Sequence, residues 1–251
     1  MGLARAISKL GYCSRSRAEA LIRSARVRLN GKVCLDPETP THSGKERIEI
    51  DDKAISAAYT IYIVLNKPRG VVATASDEQG RDTVYHLLPP DLSWIAPVGR
   101  LDKASEGLLL MTNDSGWAAR ISAPETCIAK TYHVQVNTVR SQALLDAMIK
   151  GARCDGELLR AKSARFLRGG QRNSWIEVVL EEGRNRQIRR LLAQLGVSVL
   201  RLVRVAVGPL ELGDLPKGQW RYLSGAQKLL LDQAMLATMG MGKTSISQSC
   251  S

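Results

Sequence analysis

The sequence predicts an α+β protein in which a small helical and β-hairpin unit precedes a larger domain built on a mixed, mostly antiparallel sheet. Short segments of helical periodicity alternate irregularly with many segments of period-two alternation, which is typical of this class. The 251 residues are enough for one small and one large domain. We expect the small unit at 1–55, a linker at 56–60, the large domain at 61–234 and a disordered tail at 235–251.

The first unit is expected to contain two helices followed by short strands. ARAISKLG is a short helix that ends at Gly11, and Ser14 can cap a second helix, SRSRAEALIRSA. VRLNGKVCL has the pattern of a β-hairpin, because Asn30 and Gly31 suit a type I′ turn. RIEIDD then adds a strand of alternating apolar residues.

The charge of the chain points to a polyanionic partner. There are 36 basic residues against 24 acidic ones, a formal net charge of +12. Residues 1–34 carry eight basic side chains and one acidic side chain, Glu19. A surface of this kind attracts nucleic acid and releases counterions on binding. Charge alone leaves open a basic protein without a dedicated partner.

The second unit alternates strands and helices. IYIVLNKPRGVVAT predicts a strand, a turn at 67–70 and a second strand, and GLLLM at 107–111 predicts a core strand. KTYHVQVN, SWIEVVLEEG and VSVLRLVRVAVG are further strands. SQALLDAMIKG is a helix with Ser141 as its cap and Gly151 at its end.

One helix begins among arginines. In EEGRNRQIRRLLAQLG, apolar residues fall at helical spacing, with Asn185 expected to cap the helix and Gly196 to end it. Four arginines crowd its start, where the helix dipole is already positive. An anion, either a phosphate or a carboxylate, would offset them. These arginines are Arg184, Arg186, Arg189 and Arg190.

Several protein classes are not supported by the sequence. The five cysteines and three histidines are widely scattered, which argues against a disulfide framework and against a metal site. No apolar run approaches the roughly 18 residues of a membrane span, and the N-terminal MGLARAIS lacks the apolar region of a signal peptide. We therefore expect a cytoplasmic protein without a metal.

A carboxylate in VGRLDKASEGLLLMTND is the candidate reactive group. Asp102 lies between Arg100 and Lys103, just before the predicted core strand. Chemistry at a glycosidic bond can use carboxylates without a metal. Glu106 could form an acid–base pair with Asp102, but it begins an apolar run and is better placed to brace the loop.

Four ordered motifs resemble the RsuA family of pseudouridine synthases, whose members isomerise uridine in ribosomal RNA. GRLDKASEGLLLMTND resembles the catalytic motif of that family, and KTYHVQV and EGRNRQIRRLLAQLG resemble its second and third motifs. NKPRG is similar to the opening of the catalytic domain, and VRVAVGPLELGDLPKGQWRYL to its last segment. GYCSRSRAEALI and VRLNGK resemble an S4 RNA-binding domain, although Ala25 stands where glycine is common.

The resemblance implies roles for individual residues. Asp102 would be the catalytic aspartate, Tyr132 the tyrosine that stacks on the target base, and Arg189 the basic residue paired with the aspartate. Leu212 or Leu215 would pack near the base. The basic residues expected to contact RNA are Arg100, Lys67, Arg184, Arg186, Arg190, Arg15, Arg17 and Lys32.

The implied enzyme is a cofactor-free monomer that acts on structured RNA, either ribosomal RNA or a ribosome-assembly intermediate. Three roles remain open for Asp102: attack on the sugar, attack on the base, or removal of the 2′ proton. The alternative function is that of a non-catalytic RNA-binding or ribosome-assembly factor on the same scaffold. A glycoside hydrolase, which would release a free base or sugar, is a more remote possibility.

Overall fold

The computed structural model describes residues 1–42, 46–74 and 80–244, with side chains up to residue 237. The small unit and the large domain both have the predicted composition of helices and strands, and the predicted α+β class is confirmed. Within the described residues, no helix combines the length and the apolar character needed to cross a lipid bilayer.

The N-terminal unit packs two helices on a four-stranded antiparallel sheet. Its helices are α1 (Leu3–Lys9) and α2 (Arg15–Arg23), and its strands, in the sheet order β2-β1-β3-β4, are β1 (Val27–Leu29), β2 (Lys32–Cys34), β3 (Ile48–Ile50) and β4 (Lys53–Ala54). The Ser14 hydroxyl accepts a hydrogen bond from the Arg17 amide at 3.2 Å, which confirms the predicted cap. Asn30 and Gly31 have φ values of 51° and 81°, as a type I′ turn requires.

Short contacts connect this unit to the large domain. The Ala58 amide donates to the Leu10 carbonyl at 2.9 Å, just after α1. The Asn113 side chain donates to the Tyr59 carbonyl and accepts from the Ile61 amide, each at 2.8 Å. The segment predicted as a linker is thus hydrogen-bonded to both units.

The large domain is built on one long mixed sheet. Its order is β11-β12-β8-β13-β7-β5-β15, and every neighbouring pair is antiparallel except β13 with β7. The strands on this path are β5 (Tyr62–Lys67), β7 (Glu106–Thr112), β8 (Lys130–Val136), β11 (Ser163–Gly169), β12 (Ser174–Leu180), β13 (Val199–Val207) and β15 (Trp220–Tyr222). This arrangement confirms the predicted mixed, mostly antiparallel sheet.

Shorter elements complete the domain. Strands β6 (Ala96–Pro97) and β14 (Leu210–Glu211) pair with β7 and β13, while β9 (Ala152–Cys154) and β10 (Glu157–Leu159) form a separate hairpin. The helices are α3 (Ser115–Ser122), α4 (Gln142–Lys150), α5 (Gln187–Gln194) and α6 (Gly225–Thr244). The strand predicted after the turn at 67–70 is not formed, since Val72 makes only an isolated bridge with Thr83.

The two ends of the long sheet have different cores. Helices α4 and α5 cover one face of the β11–β13 end, where Val134, Ile176 and Leu191 are fully or almost fully buried. Strand β7 is buried along its whole length, with Leu108 and Leu110 facing one core and Leu109 and Met111 another. Burial on both faces explains the continuous apolar run in this strand.

Glycine is required where β7 meets β13. Gly107 has a φ of 101°, and a Cβ atom added there would lie 2.2 Å from the Arg204 carbonyl oxygen. The two backbones therefore approach more closely than any side chain allows. This contact fixes the start of β7, and with it the end of the loop that carries Asp102.

Helical structure continues beyond residue 234. Helix α6 continues to Thr244, and Leu231 and Met235 are buried against the core that contains Trp117. The prediction of a disordered tail from residue 235 was therefore wrong at its start, because α6 continues past this point and Met235 contributes to the core. Residues 245–251 lie outside the described part of the chain.

Candidate active site

A cavity of about 600 Å³ opens between the loop before β7, the strands β8 and β13, and the start of α5. This volume is typical of sites that bind small molecules. Asp102 and Ser105 line it from the loop, Tyr132 from β8, and Leu202 and Arg204 from β13. Helix α5 and the loop before it contribute a wall of basic and apolar residues.

Asp102 presents its carboxylate to this cavity. Its side chain is about one-third exposed (33%), and its carbonyl accepts a hydrogen bond from the Ser105 amide at 2.9 Å. The neighbouring Leu101 is buried and anchors the loop in the core beneath β7. Asp102 is thus held by its backbone while its carboxylate remains accessible to a ligand.

The nearest cation to this carboxylate is Arg186. Its Nη1 lies 3.9 Å from Asp102 Oδ2, too far for a hydrogen bond but within the distance of an ion pair between partly exposed side chains. Arg186 has a φ of 48° and begins α5 in the left-handed conformation without a side-chain cap. The predicted cap at Asn185 is therefore wrong, and the left-handed turn brings the guanidinium of Arg186 close to Asp102.

Arg189, the predicted partner of Asp102, binds the same loop through its backbone. Its Nη2 donates to the Ala104 carbonyl at 3.0 Å, and its Nη1 donates to the Val199 carbonyl at 3.3 Å. Burial lowers the pKa of Arg189, the charge of Arg186 lowers it further, and Asp102 opposes the change. Arg189 therefore lies near Asp102, but it does not form the expected direct ion pair.

Lys67 supports the loop from below. Its side chain is fully buried, and its Nζ donates to the carbonyls of Ser105 at 2.8 Å, Pro68 at 3.1 Å and Asp102 at 3.2 Å. Burial lowers the pKa of this ammonium to about 8, although Asp102 and Glu106 partly offset the effect. The prediction that Lys67 contacts RNA is wrong, because a lysine with no exposed surface cannot reach a phosphate.

Glu106 fixes the other end of the loop. Its buried carboxylate accepts two hydrogen bonds from Arg201, at 2.8 and 2.9 Å, and lies 2.6 Å from Lys217 Nζ. These partners, Arg201 first, lower the pKa of Glu106 to about 2. With both oxygens engaged, Glu106 braces the loop and is not placed to serve as an acid–base partner of Asp102.

Tyr132 lies across the cavity from the loop. It pairs in register with Val178 on β12 and with Arg204 on β13, and it is partly buried against two cores. Its ring therefore has a fixed position on one wall of the cavity. An aromatic face at the edge of a cavity of this size is suited to stacking on a base.

The family follows from comparison of the sequence with known proteins. Residues 61–194 match the RNA pseudouridylate synthase family, and residues 1–46 match the S4 domain. The chain belongs to the RNA pseudouridylate synthase family. Its members are RNA isomerases, and the resemblance to RsuA-type synthases with an S4 domain is confirmed.

Individual relatives cover almost the whole chain. The ribosomal large subunit pseudouridine synthase B of Bacillus subtilis (strain 168) is 34% identical over 224 residues, which are 88% of this chain and 91% of the relative. A protein of Aquifex aeolicus (strain VF5) described as an uncharacterized RNA pseudouridine synthase is 33% identical over 230 residues, 91% of this chain and 92% of that protein. The crystal structure of a pseudouridylate synthase superposes with a TM-score of 0.65 at 28% identity and covers 92% of this chain and 99% of the other.

The apolar wall of this pseudouridine synthase differs from the one expected. Leu212 and Leu215 pack with the core around Trp117 and do not line the cavity, so their prediction as base-pocket residues was wrong. Ile188 and Leu202 line the cavity instead. Leu202 alternates with outward residues along β13, and Ile188 lies on the inner face of α5, so both belong to the core cluster against which Tyr132 packs.

The remaining predicted basic residues have different environments. Arg100, Arg184 and Arg186 line the cavity and are exposed. Arg190 binds the β9–β10 hairpin through Glu157, Asp155 and the Cys154 carbonyl. It therefore has a structural role, and the prediction that it contacts RNA is wrong. In the S4 domain, Arg15 forms ion pairs with Glu19 and Glu38, while Arg17 and Lys32 are exposed.

Sequence reasoning missed two residues that shape the synthase cavity. Arg204 is buried in its wall, and its Nε donates to the Leu108 carbonyl at 2.7 Å. Gln187 is also buried, accepting from the Arg184 amide at 3.2 Å and donating to Glu182 at 2.7 Å and to the Arg160 carbonyl at 3.2 Å. Gln187 thereby holds the turn that aims Arg186 at Asp102.

Proposed function

We propose that this chain isomerises a uridine of ribosomal RNA to pseudouridine, with Asp102 as the catalytic carboxylate and without a cofactor. The observation that carries the proposal is the accessible carboxylate of Asp102, which lies beside Arg186 in a cavity that Tyr132 also lines. The name of the Bacillus subtilis relative favours ribosomal RNA as the substrate. An S4 domain and a net charge of +12 favour a large, structured RNA as the substrate, and we expect the reaction to take place in the cytoplasm.

The reaction is an isomerisation and needs no external reactant. The N1–C1′ bond of uridine breaks, the uracil rotates, and a C5–C1′ bond forms. C5 loses its proton to solvent and N1 gains one, so atoms and electrons balance. A negative carboxylate next to the reacting nucleoside, held by nearby positive charges, is the type of group that assists cleavage of a glycosidic bond.

The other residues bind and orient the substrate in this proposal. The target uridine leaves its stack and its base enters the cavity, where Tyr132 stacks on one face and Leu202 and Ile188 provide apolar contacts. Arg100 and Arg184 at the cavity mouth bind the flanking phosphates. Arg186 and Arg189 stabilise the charge of Asp102, while Lys67 and Glu106 hold its loop.

The release of the C5 proton gives a direct test. Ribosomal RNA transcribed with tritium at C5 of uridine releases the label to water when pseudouridine forms. Asp102→Asn should reduce release at least about a thousandfold while RNA affinity changes by less than about twofold. Asp214→Asn, at an exposed aspartate outside the cavity, should behave as the wild type. Full activity of Asp102→Asn would overturn the assignment.

A genetic comparison separates the enzyme from an RNA-binding assembly factor. Pseudouridine should be missing from one or more ribosomal RNA positions in cells without the gene and should return with the wild type but not with Asp102→Asn. An unchanged pseudouridine map, together with full rescue of growth by Asp102→Asn, would instead identify a binding role. Release of free uracil in the tritium assay would identify a glycosidase.

A further inference from the structure

The β11–β13 end of the sheet has an outward face opposite the cavity. The pairing register places Arg168, Trp175, Gln135 and Arg201 in one row across four strands. Cross-strand partners share a face, so these four side chains lie together. The alternate residues Ile176, Val134 and Leu202 point to the other face, where α4 and α5 cover them.

Trp175 is the centre of this outward face. The guanidinium carbon of Arg168 lies 5.4 Å from its ring centroid, and that of Arg201 lies 5.8 Å from it. Trp175 is partly exposed on this face and offers a flat apolar ring to a ligand. Here two arginines flank it, a combination that nucleic-acid-binding proteins use to stack bases and contact phosphates.

Positive charge exceeds negative charge on this face. Glu177 accepts two hydrogen bonds from Arg165, and Glu106 is shared by Arg201 and Lys217. Arg168 forms no ion pair with a carboxylate among the described residues. An arginine that lies beside an aromatic ring and has no carboxylate partner is suited to an anionic ligand that also has flat groups for stacking.

We propose that this outward face binds a single-stranded segment of RNA, with a base stacked at Trp175 and a phosphate on Arg168. The face lies on the other side of the sheet from the cavity, and β11 is the edge strand between the two. The bound segment is therefore separate from the nucleotide that enters the cavity. The proposal rests on RNA as the partner, as in the proposed function, but not on catalysis by Asp102.

Fluorine NMR on the full chain observes this site directly. With 5-fluorotryptophan incorporated at all four tryptophans, Trp175→Phe assigns the resonance of Trp175. Titration with a 20-nucleotide oligouridylate should shift that resonance, while fully buried Trp117 provides an unmoved internal reference. An unmoved Trp175 resonance at saturating RNA would overturn the proposal, whatever the tritium assay shows for Asp102.

An arginine variant and a phosphate polymer without bases distinguish the contribution of charge to RNA binding from that of base stacking. Arg168→Gln should weaken the affinity read from the Trp175 resonance about three- to tenfold and reduce the slope of log affinity against log salt by about 0.7, as for one phosphate contact on a single strand. Arg153→Gln, an exposed arginine on the β9–β10 hairpin, is the matched control and should change neither. Inorganic polyphosphate should produce a much smaller shift, and a shift equal to that of RNA would exclude base stacking.

Discussion

Lys67 binds the backbone of Asp102, with its Nζ 3.2 Å from the Asp102 carbonyl oxygen. The same ammonium binds the Ser105 carbonyl, and Arg189 binds the Ala104 carbonyl from another side. Two cations therefore bind three backbone carbonyls, those of Asp102, Ala104 and Ser105, in the loop that carries the candidate catalytic carboxylate. The loop is rigid at its backbone, while the Asp102 side chain is left to interact with a substrate.

The buried Lys67 makes stability depend on pH. Its pKa in the folded protein is about 8, below the ordinary 10.5, because burial disfavours the charged form. Between these values the unfolded chain holds more protons, so this group makes the protein more stable as the pH rises. Urea unfolding at several pH values compares the wild type with Lys67→Met. From pH 7.5 to pH 9, the free energy of unfolding of the wild type should rise by about 1 kcal/mol relative to that of the variant. Exposed Lys150→Met is the control, and parallel curves for Lys67→Met would contradict the prediction.

The brace at Glu106 should weaken in acid. Its folded pKa, about 2, is below the ordinary 4.5, so its contribution is fully present above pH 4.5 and is lost as the pH falls toward 2. Glu106→Gln should lower the free energy of unfolding by about 3 kcal/mol at pH 6. At pH 3.5 this difference from the wild type should be smaller by about 1.5 kcal/mol. Chemical denaturation at both pH values measures the two differences. Exposed Glu211→Gln should be neutral, and a difference that is independent of pH would show that packing, not charge, is lost.

Substitution of Arg186 should affect mainly catalysis, whereas substitution of Arg189 should affect both stability and catalysis. Arg186 is half exposed beside the Asp102 carboxylate, so Arg186→Gln should lower kcat about tenfold and leave stability within about 0.5 kcal/mol. Arg189→Met leaves the Ala104 and Val199 carbonyls without these donors and should cost about 2 kcal/mol of stability as well as activity.

Steady-state tritium release and denaturant unfolding separate these two effects. Arg186→Lys restores a positive charge near Asp102 and should recover part of kcat. If Arg186→Gln instead raised only KM, Arg186 would be a phosphate contact and not a partner of the carboxylate.

The sequence predicted what depends on local pattern. The hairpin at Asn30 and Gly31, the cap at Ser14 and the fully buried strand β7 all follow from spacing and turn chemistry, and the structure confirms them. Four motifs in order were enough to indicate the family. Asp102 and Tyr132 line one cavity although thirty residues separate them, a closeness that only the resemblance implied.

Partners that depend on backbone detail could not be predicted. Arg186 approaches Asp102 because its own φ is positive at the start of α5, a conformation that no local pattern indicates for arginine. Lys67 follows the sequence pattern of an exposed turn lysine, yet three carbonyls converge on it in the fold. Arg204 is charged as an outward residue would be, but it shares the inner face of β13 with Leu202 and is buried at the junction with Gly107.

Ala25 offers a test of backbone strain in the S4 domain. Its φ of 59° lies in the left-handed region, which disfavours a residue with a Cβ atom. Ala25→Gly should raise the unfolding free energy by about 0.5–1 kcal/mol, because relief of strain exceeds the added entropy of the unfolded chain. The same substitution at exposed Ala20, inside α2, should lower it by about 1 kcal/mol. Urea unfolding of the full chain measures both, and two changes of the same sign would show that the turn after α2 does not hold Ala25 under strain.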